Sequence, residues 1–362
     1  MKAAVCRVFG EPLAVEDLVL DAPQHGEVRV RVAASAICHS DVSLVDGAWG
    51  GDLPAVYGHE AAGTIEELGA GVDGLKPGDR VAVSLIRSCG HCFFCERGEA
   101  HLCEHEFPAD RRAMLRTLDG EPVSHGLHTA AFAEAVVVDQ SQVAVVPESL
   151  AFDVAALLGC GVITGVGAVV DRAGVSAGSS VLVVGTGGVG LNSVQGAALQ
   201  GATPIIASDI SAAKRESAIR FGATHAVDPL GGGLAEEVRA LTGGRGVDYA
   251  FVTVGRGDVV EQSLACVRRG GTLVVVGMPP SGETFRVETV DLAHNDVRIL
   301  GSKMGSARLS KAVPLLVEQY EQGKLKLDEL ISGRYPLDRI EEAMATARGG
   351  AALRNVIVFD SE

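Results

Sequence analysis

The sequence predicts an α/β protein of two domains, a β-rich one near the N-terminus and a parallel, doubly wound sheet after it. Three observations carry this. Six apolar runs recur beyond residue 162, each followed by a helical segment or a turn: Val181–Val184, Pro204–Ser208, His225–Val227, Asp248–Val254, Thr272–Val276 and Val297–Leu300. Strands alternating with helices build a parallel sheet covered on both faces. Before residue 162 the chain instead shows short runs of strand character broken by turn residues, with no helical period between them. The 362-residue length fits about two domains of ~150 residues each.

The elements follow in order. Residues 27–34 (EVRVRVAA) alternate apolar and charged, as a half-buried strand does. Residues 62–68 and 79–84 read as further strands, with Gly69-Ala70-Gly71 and Lys76-Pro77-Gly78-Asp79 as the turns between them. An uncharged run, Val154–Val170, lies between Asp153 and Asp171. It contains four glycines and is shorter than a membrane span, so it reads as a buried loop and helix. Residues 211–221 open on Ser211 and read as an amphipathic helix. Residues 310–323 form another helix, and Asn355–Phe359 a last strand.

The net charge of -15 excludes a nucleic-acid scaffold, which needs a basic face, and an anionic membrane surface as partner. The N-terminal segment MKAAVCRVFGEPLAVEDL lacks the apolar core of a signal peptide. A cytoplasmic protein is therefore expected, with its eight cysteines kept as thiols. Four of them crowd into residues 89–103, CGHCFFCERGEAHLC, with spacing C-x2-C-x2-C-x7-C. The short gaps turn neighbouring sulfurs onto one metal, and the loop brings the fourth. Cys89, Cys92, Cys95 and Cys103 thus read as a closed structural zinc site. An iron–sulfur cluster is the alternative donor chemistry, and the acidic surroundings argue against a nucleic-acid zinc module. Cys6 and Cys266 match no ligand position and read as small apolar packing residues.

Residues 181–190, VLVVGTGGVG, place Gly185, Gly187 and Gly190 in G-x-G-x-x-G after an apolar strand and before a helix. The first glycine permits the turn, the second admits a pyrophosphate, and the third lets helix and strand pack. Gly188 and Val189 open the helix, whose N-terminus stabilises negative charge. Asp209 follows Gly190 by 19 residues, where an acidic side chain binds the adenosine ribose and repels a 2′-phosphate. NAD is favoured over NADP, although Lys214 and Arg215 keep NADP open. The plainer reading of Asp209 is a turn or cap residue.

Three further segments remain: Cys38-His39-Ser40-Asp41, Gly58-His59-Glu60 and Gly159-Cys160-Gly161. With GHEAAG at 58–63, the cysteine cluster, GCGVITGVGA at 159–168 and VGTGGVGLN at 184–192, the whole chain resembles the zinc-dependent medium-chain alcohol dehydrogenases. It looks closest to the branch holding the liver-type and glutathione-dependent formaldehyde dehydrogenases. The resemblance implies a GroES-like β-barrel catalytic domain, residues 1–161 and 305–362, and a Rossmann NAD-binding domain, residues 162–304. It implies that Cys38, His59 and Cys160 hold a catalytic zinc with an open fourth position, making two zinc ions per chain. Asp41 would orient His59, Glu60 would approach the metal transiently, and Ser40 would relay the alcohol proton. Helix-cap or surface roles are the alternatives for Asp41 and Glu60. His39 and Arg354 would reach the cofactor pyrophosphate, Thr164 the nicotinamide and Lys214 the adenosine ribose. A surface salt bridge is the alternative for Arg354.

The chain departs from the liver-type pattern at Ser43, where that pattern has a histidine ending the proton relay. The expected reaction is hydride transfer between a primary alcohol, aliphatic or aromatic, and NAD, with the nicotinamide in the cleft between the domains. By position Leu85, Trp49 and Leu127 line the substrate site, with core packing as the alternative for Leu85 and Leu127. Arg111 and Arg112 fall near an arginine used by formaldehyde dehydrogenases, but a solvated charge pair is the favoured reading. A thiol-adduct formaldehyde dehydrogenase is the alternative activity. A non-enzymatic zinc-bearing protein is disfavoured because no catalytic ligand is missing. Relatives associate through the Rossmann sheet edge, near Thr272–Val276 and Val297–Leu300, so a homo-oligomer is expected, a dimer before a tetramer.

Overall fold

The structure is a computed structural model and describes residues 1–350 and 352–359. The chain divides into two compact units, Met1–Gly161 with Arg308–Glu362 and Val162–Ala307.

The first unit is built from β-strands. Glu27–Ile37 is its centre, flanked by Glu60–Leu68 and Arg354–Val358, with Ala135–Asp139 pairing along its first half. The alternation at 27–34 has the expected cause. Val28, Val30 and Val32 pack on Ala61, Ile65, Val81, Val83, Val136 and Val138. Arg29 and Arg31 point the other way and pair with Glu66 at 3.4 and 3.3 Å. The strand runs on to Ile37 because its last residues are buried and Val356 and Ile357 pair beside them. Arg80–Ser84 and Val143–Val145 extend one side of the sheet and Ile331–Pro336 the other. Lys2–Cys6, Ala14–Leu20, Leu115–Thr117, Pro122–His125 and Ala55–Val56 close into a small barrel, as the family resemblance implied, although the residues alone did not mark these strands. Its core includes Ala3, Val5, Cys6, Leu115, Val123 and Phe132.

The second unit is a six-stranded, all-parallel sheet. Its spatial order is His225–Val227, Ile205–Ser208, Val181–Val184, Val247–Val252, Val267–Val275, Arg298–Gly301. The order reverses beside Val181–Val184, the switch point where doubly wound sheets take ligands. Val181–Val184 is wholly buried, as the centre of a sheet covered on both faces must be. Gly188–Leu199 follows it as a helix, and Ser211 caps Ala212–Arg220 by accepting from the Lys214 N–H. The two edge strands are His225–Val227 and Arg298–Gly301. Val297–Leu300 falls on the second of these edges, and Thr272–Val276 on the strand beside it.

The uncharged run is not one helix. Phe152–Leu157 and Gly161–Gly167 are short helices with Leu158–Cys160 between them, followed by a wide turn, Ala168–Arg172. Among the described residues no helix is long and apolar enough to cross a membrane.

Candidate active site

Cys38 ends the central strand and caps the helix His39–Val45. Asp41, in the first turn of that helix, is fully buried. One of its oxygens accepts the Cys38 N–H at 3.0 Å, and the other accepts the Gly58 N–H at 3.1 Å and lies 2.9 Å from His59 Nδ1. Gly58 sits at φ +91°, and a Cβ there would come within 2.7 Å of the Phe132 backbone nitrogen. Glycine is required at that position to deliver His59. Glu60 follows on the strand Glu60–Leu68, paired with Ser84, and the Ser84 hydroxyl donates to the Gly159 carbonyl at 2.6 Å. That bond anchors the turn that presents Cys160.

The result is a buried group of four side chains. Ligand atoms of Cys38, His59, Glu60 and Cys160 all lie within 4.8 Å of one another. Two sulfurs and an imidazole suit zinc, and three such ligands leave a position open. Glu60 Oε1 is buried without a hydrogen-bond partner, as expected of a group whose neighbour is a cation. The other Glu60 oxygen accepts the Gly161 N–H at 3.1 Å and forms an ion pair with Arg354. The Cys160 hydrogen bond, then His59, hold Cys38 well below the ordinary thiol range, while that bond and burial push Cys160 up. Burial works against a charged His59, but Asp41 outweighs it and raises the imidazole well above its usual value. Glu60 is therefore no surface carboxylate, while Asp41 is both a capping-box carboxylate of the helix His39–Val45 and the partner of His59. Arg354 is only 5 % exposed, so its ion pair is an interior one.

The cysteine cluster is a second metal-ligand group, with the sulfurs of Cys89, Cys92, Cys95 and Cys103 within 4.8 Å of one another. Backbone N–H groups of Cys89 and Cys92 point at Cys103 and Cys89 sulfurs at 3.4 and 3.3 Å. Such donors stabilise thiolates and fit a closed four-sulfur zinc site. Cys6 and Cys266 are buried among apolar side chains.

At the glycine loop, a Cβ on Gly190 would stand 1.8 Å from the Gly185 carbonyl oxygen, so helix and strand meet there only through glycine. A Cβ on Gly187 would meet nothing within 4 Å. That open space, at the N-terminus of the helix beginning Gly188-Val189, is the cradle a pyrophosphate needs. Asp209 ends the second strand from that loop. Its Oδ2 accepts the Thr186 N–H at 2.8 Å and its Oδ1 the Ser211 N–H at 2.9 Å. It ties the glycine loop to the next helix and keeps lone pairs for a further donor. Arg215 is engaged with the Asp209 carbonyl at 2.7 Å and with Asp228 at 3.0 Å.

The other candidates scatter. His39 is exposed, Ser40 and Ser43 are half-buried, and Ser40 Oγ lies 3.7 Å from Cys38 Sγ. Thr164 is buried, its hydroxyl 3.6 Å from Met304 Sδ. Leu85 is half-buried, one residue beyond the Ser84 that pairs with Glu60. Trp49 and Leu127 pack on the rim of the barrel core. Arg111 pairs with Glu106 in solvent, as read, but Arg112 reaches inward to the buried Glu27 at 2.6 Å. The Glu60–Arg354 and Glu27–Arg112 pairs had no signal in the sequence, since nothing local links their partners.

Two family models match the chain: the alcohol dehydrogenase GroES-like domain over residues 24–148 and the zinc-binding dehydrogenase over residues 188–318. An NDMA-dependent alcohol dehydrogenase of Amycolatopsis methanolica is 37% identical, covering 100% of this chain and 99% of its own. A class-3 alcohol dehydrogenase of Cereibacter sphaeroides is 35% identical, covering 99% of both chains. The crystal structure of benzyl alcohol dehydrogenase from Acinetobacter calcoaceticus superposes with a TM-score of 0.93 at 31% identity, covering 99% of both chains. The chain belongs to the zinc-dependent medium-chain alcohol dehydrogenases.

Proposed function

We propose that this alcohol dehydrogenase binds two zinc ions and NAD, and interconverts a primary alcohol bearing an apolar tail with its aldehyde. The observation that carries the reading is the buried set Cys38, His59 and Cys160, beside a Glu60 oxygen without a partner. Zinc held there supplies Lewis acidity, which lowers the pKa of a substrate hydroxyl by several units.

The chain's own residues do the remaining work. Asp41 holds His59 at Nδ1, so Nε2 is the nitrogen offered to the metal. Ser40 Oγ accepts the substrate proton and passes it outward. With a serine at 43, the relay ends in water, a ribose hydroxyl or another group. NAD, when bound, would supply the acceptor for the substrate's carbon-bound hydrogen as hydride, giving aldehyde, NADH and one proton. The Gly187 opening and the N–H groups of Gly188 and Val189 would receive the pyrophosphate, and by the family resemblance His39 and Arg354 are further candidates for it. Thr164 packs on the nicotinamide, and Lys214 approaches the adenosine ribose. Asp209 takes the ribose hydroxyls and disfavours a 2′-phosphate. The prior engagement of Arg215 with Asp209 and Asp228 supports NAD over NADP, since it leaves fewer free cations for that phosphate. Leu85, Trp49 and Leu127 make an apolar tail the expected substrate feature. The protein is expected in the cytoplasm. It is expected as a homo-oligomer, a dimer before a tetramer, associating along the unpaired edge Arg298–Gly301, and sedimentation at micromolar concentration measures that directly.

The test is NADH formation by zinc-replete protein across ethanol, long-chain and benzylic alcohols, and formaldehyde with and without small thiols. Turnover of a free alcohol that Cys38→Ala abolishes is the expected result. Turnover only with a thiol present would assign the adduct dehydrogenase instead. Turnover only with NDMA as the acceptor would remove free NAD as the oxidant.

A further inference from the structure

Within and just beyond the cysteine loop stand His91, His101 and His105, which neither zinc set uses, and two of them, His91 and His105, meet. His91 lies between Cys89 and Cys92, and His105 stands two residues after Cys103. Both side chains are exposed, and their rings meet edge to face with centroids 5.3 Å apart. One ring nitrogen of each lies within 4.8 Å of the other and of Cys89 Sγ. His91 Nδ1 is 2.8 Å from the Cys89 carbonyl oxygen. A carbonyl only accepts, so Nδ1 carries the proton and Nε2 keeps its lone pair for a cation. Anchoring one imidazole N–H on a backbone carbonyl is how proteins orient metal-binding histidines. Phe107 backs the His105 ring from another side at 5.1 Å.

We propose that His91 and His105, together with the sulfur of Cys89, form a third and exchangeable site for a zinc-class transition-metal ion. The proposal rests on the reading of the four-cysteine site as filled with zinc, because Cys89 would be shared between the two ions. Imidazole and thiolate donors select zinc or copper over magnesium and calcium. Four thiolates around one divalent ion leave a net negative charge, which attracts a second cation to their outer face. Two imidazoles and one shared sulfur bind more weakly than four thiolates. The outer site therefore fills last and empties first. Ligands on one tetrahedral ion stand roughly 3.3–3.8 Å apart, and the three donors, within 4.8 Å of one another, can meet that spacing because both histidine side chains are exposed and rotate.

The experiment titrates the whole protein, carrying its inner zinc, with buffered free Zn²⁺ and counts metal by mass spectrometry after equilibrium dialysis. A third equivalent bound at micromolar free zinc is expected, stripped by a brief chelator exposure that leaves the others in place. It is expected to vanish in His91→Ala/His105→Ala while the inner zinc content is unchanged. Wild-type protein supplies an independent readout: Zn²⁺ protects His91 and His105 from carbethoxylation, seen by peptide mapping. A filled four-cysteine site with no third equivalent and no protection overturns the proposal alone. A protein that never carries zinc on its four cysteines overturns it together with the reading of the inner site.

Discussion

Asp41 accepts from three donors with two oxygens. The Cys38 and Gly58 N–H groups and the His59 ring all converge on it, so one carboxylate sets the separation of two candidate zinc ligands. Asp41→Asn keeps the volume but turns one acceptor oxygen into an N–H donor facing other donors. Removing a partner of this kind lowers metal affinity or activity roughly 10- to 100-fold. Zinc content under a competing chelator should show that loss for Asp41→Asn, and an unchanged affinity would return Asp41 to a purely structural role. Cys38, His59 and Cys160 stand far apart in the chain, and each segment alone is unremarkable, so this set was legible only through the resemblance to the zinc-dependent medium-chain alcohol dehydrogenases. Arg354 was legible as a candidate but not as the partner of Glu60. That pairing exists only because the last strand lies beside the central one.

Two elements of the parallel sheet yield sharper expectations. The helix Gly188–Leu199 is joined to its strand through Gly190, whose missing side chain lets the Gly185 carbonyl approach. Gly190→Ala overpacks that contact, at about 1–3 kcal/mol. We expect NAD affinity to fall roughly tenfold or more by isothermal titration, with zinc content unchanged. An undiminished affinity would show that the loop absorbs the methyl. The start of Val247–Val252 is tied to the neighbouring strand through Asp248. It accepts from the Ser180 N–H and hydroxyl at 2.8 and 2.6 Å and from Arg268 Nε at 2.6 Å. Burial alone would raise this carboxyl, but the Ser180 and Arg268 hydrogen bonds outweigh it and hold it below the usual range. A depressed folded-state pKa contributes stability above the unfolded value of about 3.9, and that stability is lost as pH falls through the folded value. Asp248→Asn should therefore unfold at lower urea concentration than wild type near neutrality. The gap should close in acid, and a gap independent of pH would point to packing instead. Element positions in this unit came close from the sequence. His225–Val227 and Val181–Val184 match their runs, and the helix at 211–221 is one residue shorter at each end. The barrel strands did not emerge. Ala55–Val56 and Leu115–Thr117 are too short for a period to show, and closure supplies the pairing that makes them strands.

At the scale of the molecule, the proposed function assigns stability to the four-cysteine loop and chemistry to the buried three-ligand set. Cys103→Ala leaves three sulfurs and should lower bound zinc by about one per chain, with a fall in melting temperature, since binding energy at a closed site is folding energy. Cys160→Ala should also lose about one zinc, but with little change in melting temperature and no turnover. Metal analysis paired with calorimetry separates the two, and equal thermal losses would mean that both sites are structural. The sequence alone determined the class of fold, the four-cysteine set and the nucleotide loop, each written in local spacing or in strand–helix periodicity. The set Cys38, His59 and Cys160 came from the family resemblance, since no local pattern joins its members. Tertiary structure decided the closure of the barrel, the strand order with Arg298–Gly301 at its edge, and the burial that makes Asp41, Glu60 and Arg354 one charged interior group. It also placed His91 and His105 against the Cys89 sulfur. These depend on contacts between segments remote in the chain, where burial and dielectric set the energies and no local pattern records which partner will be met.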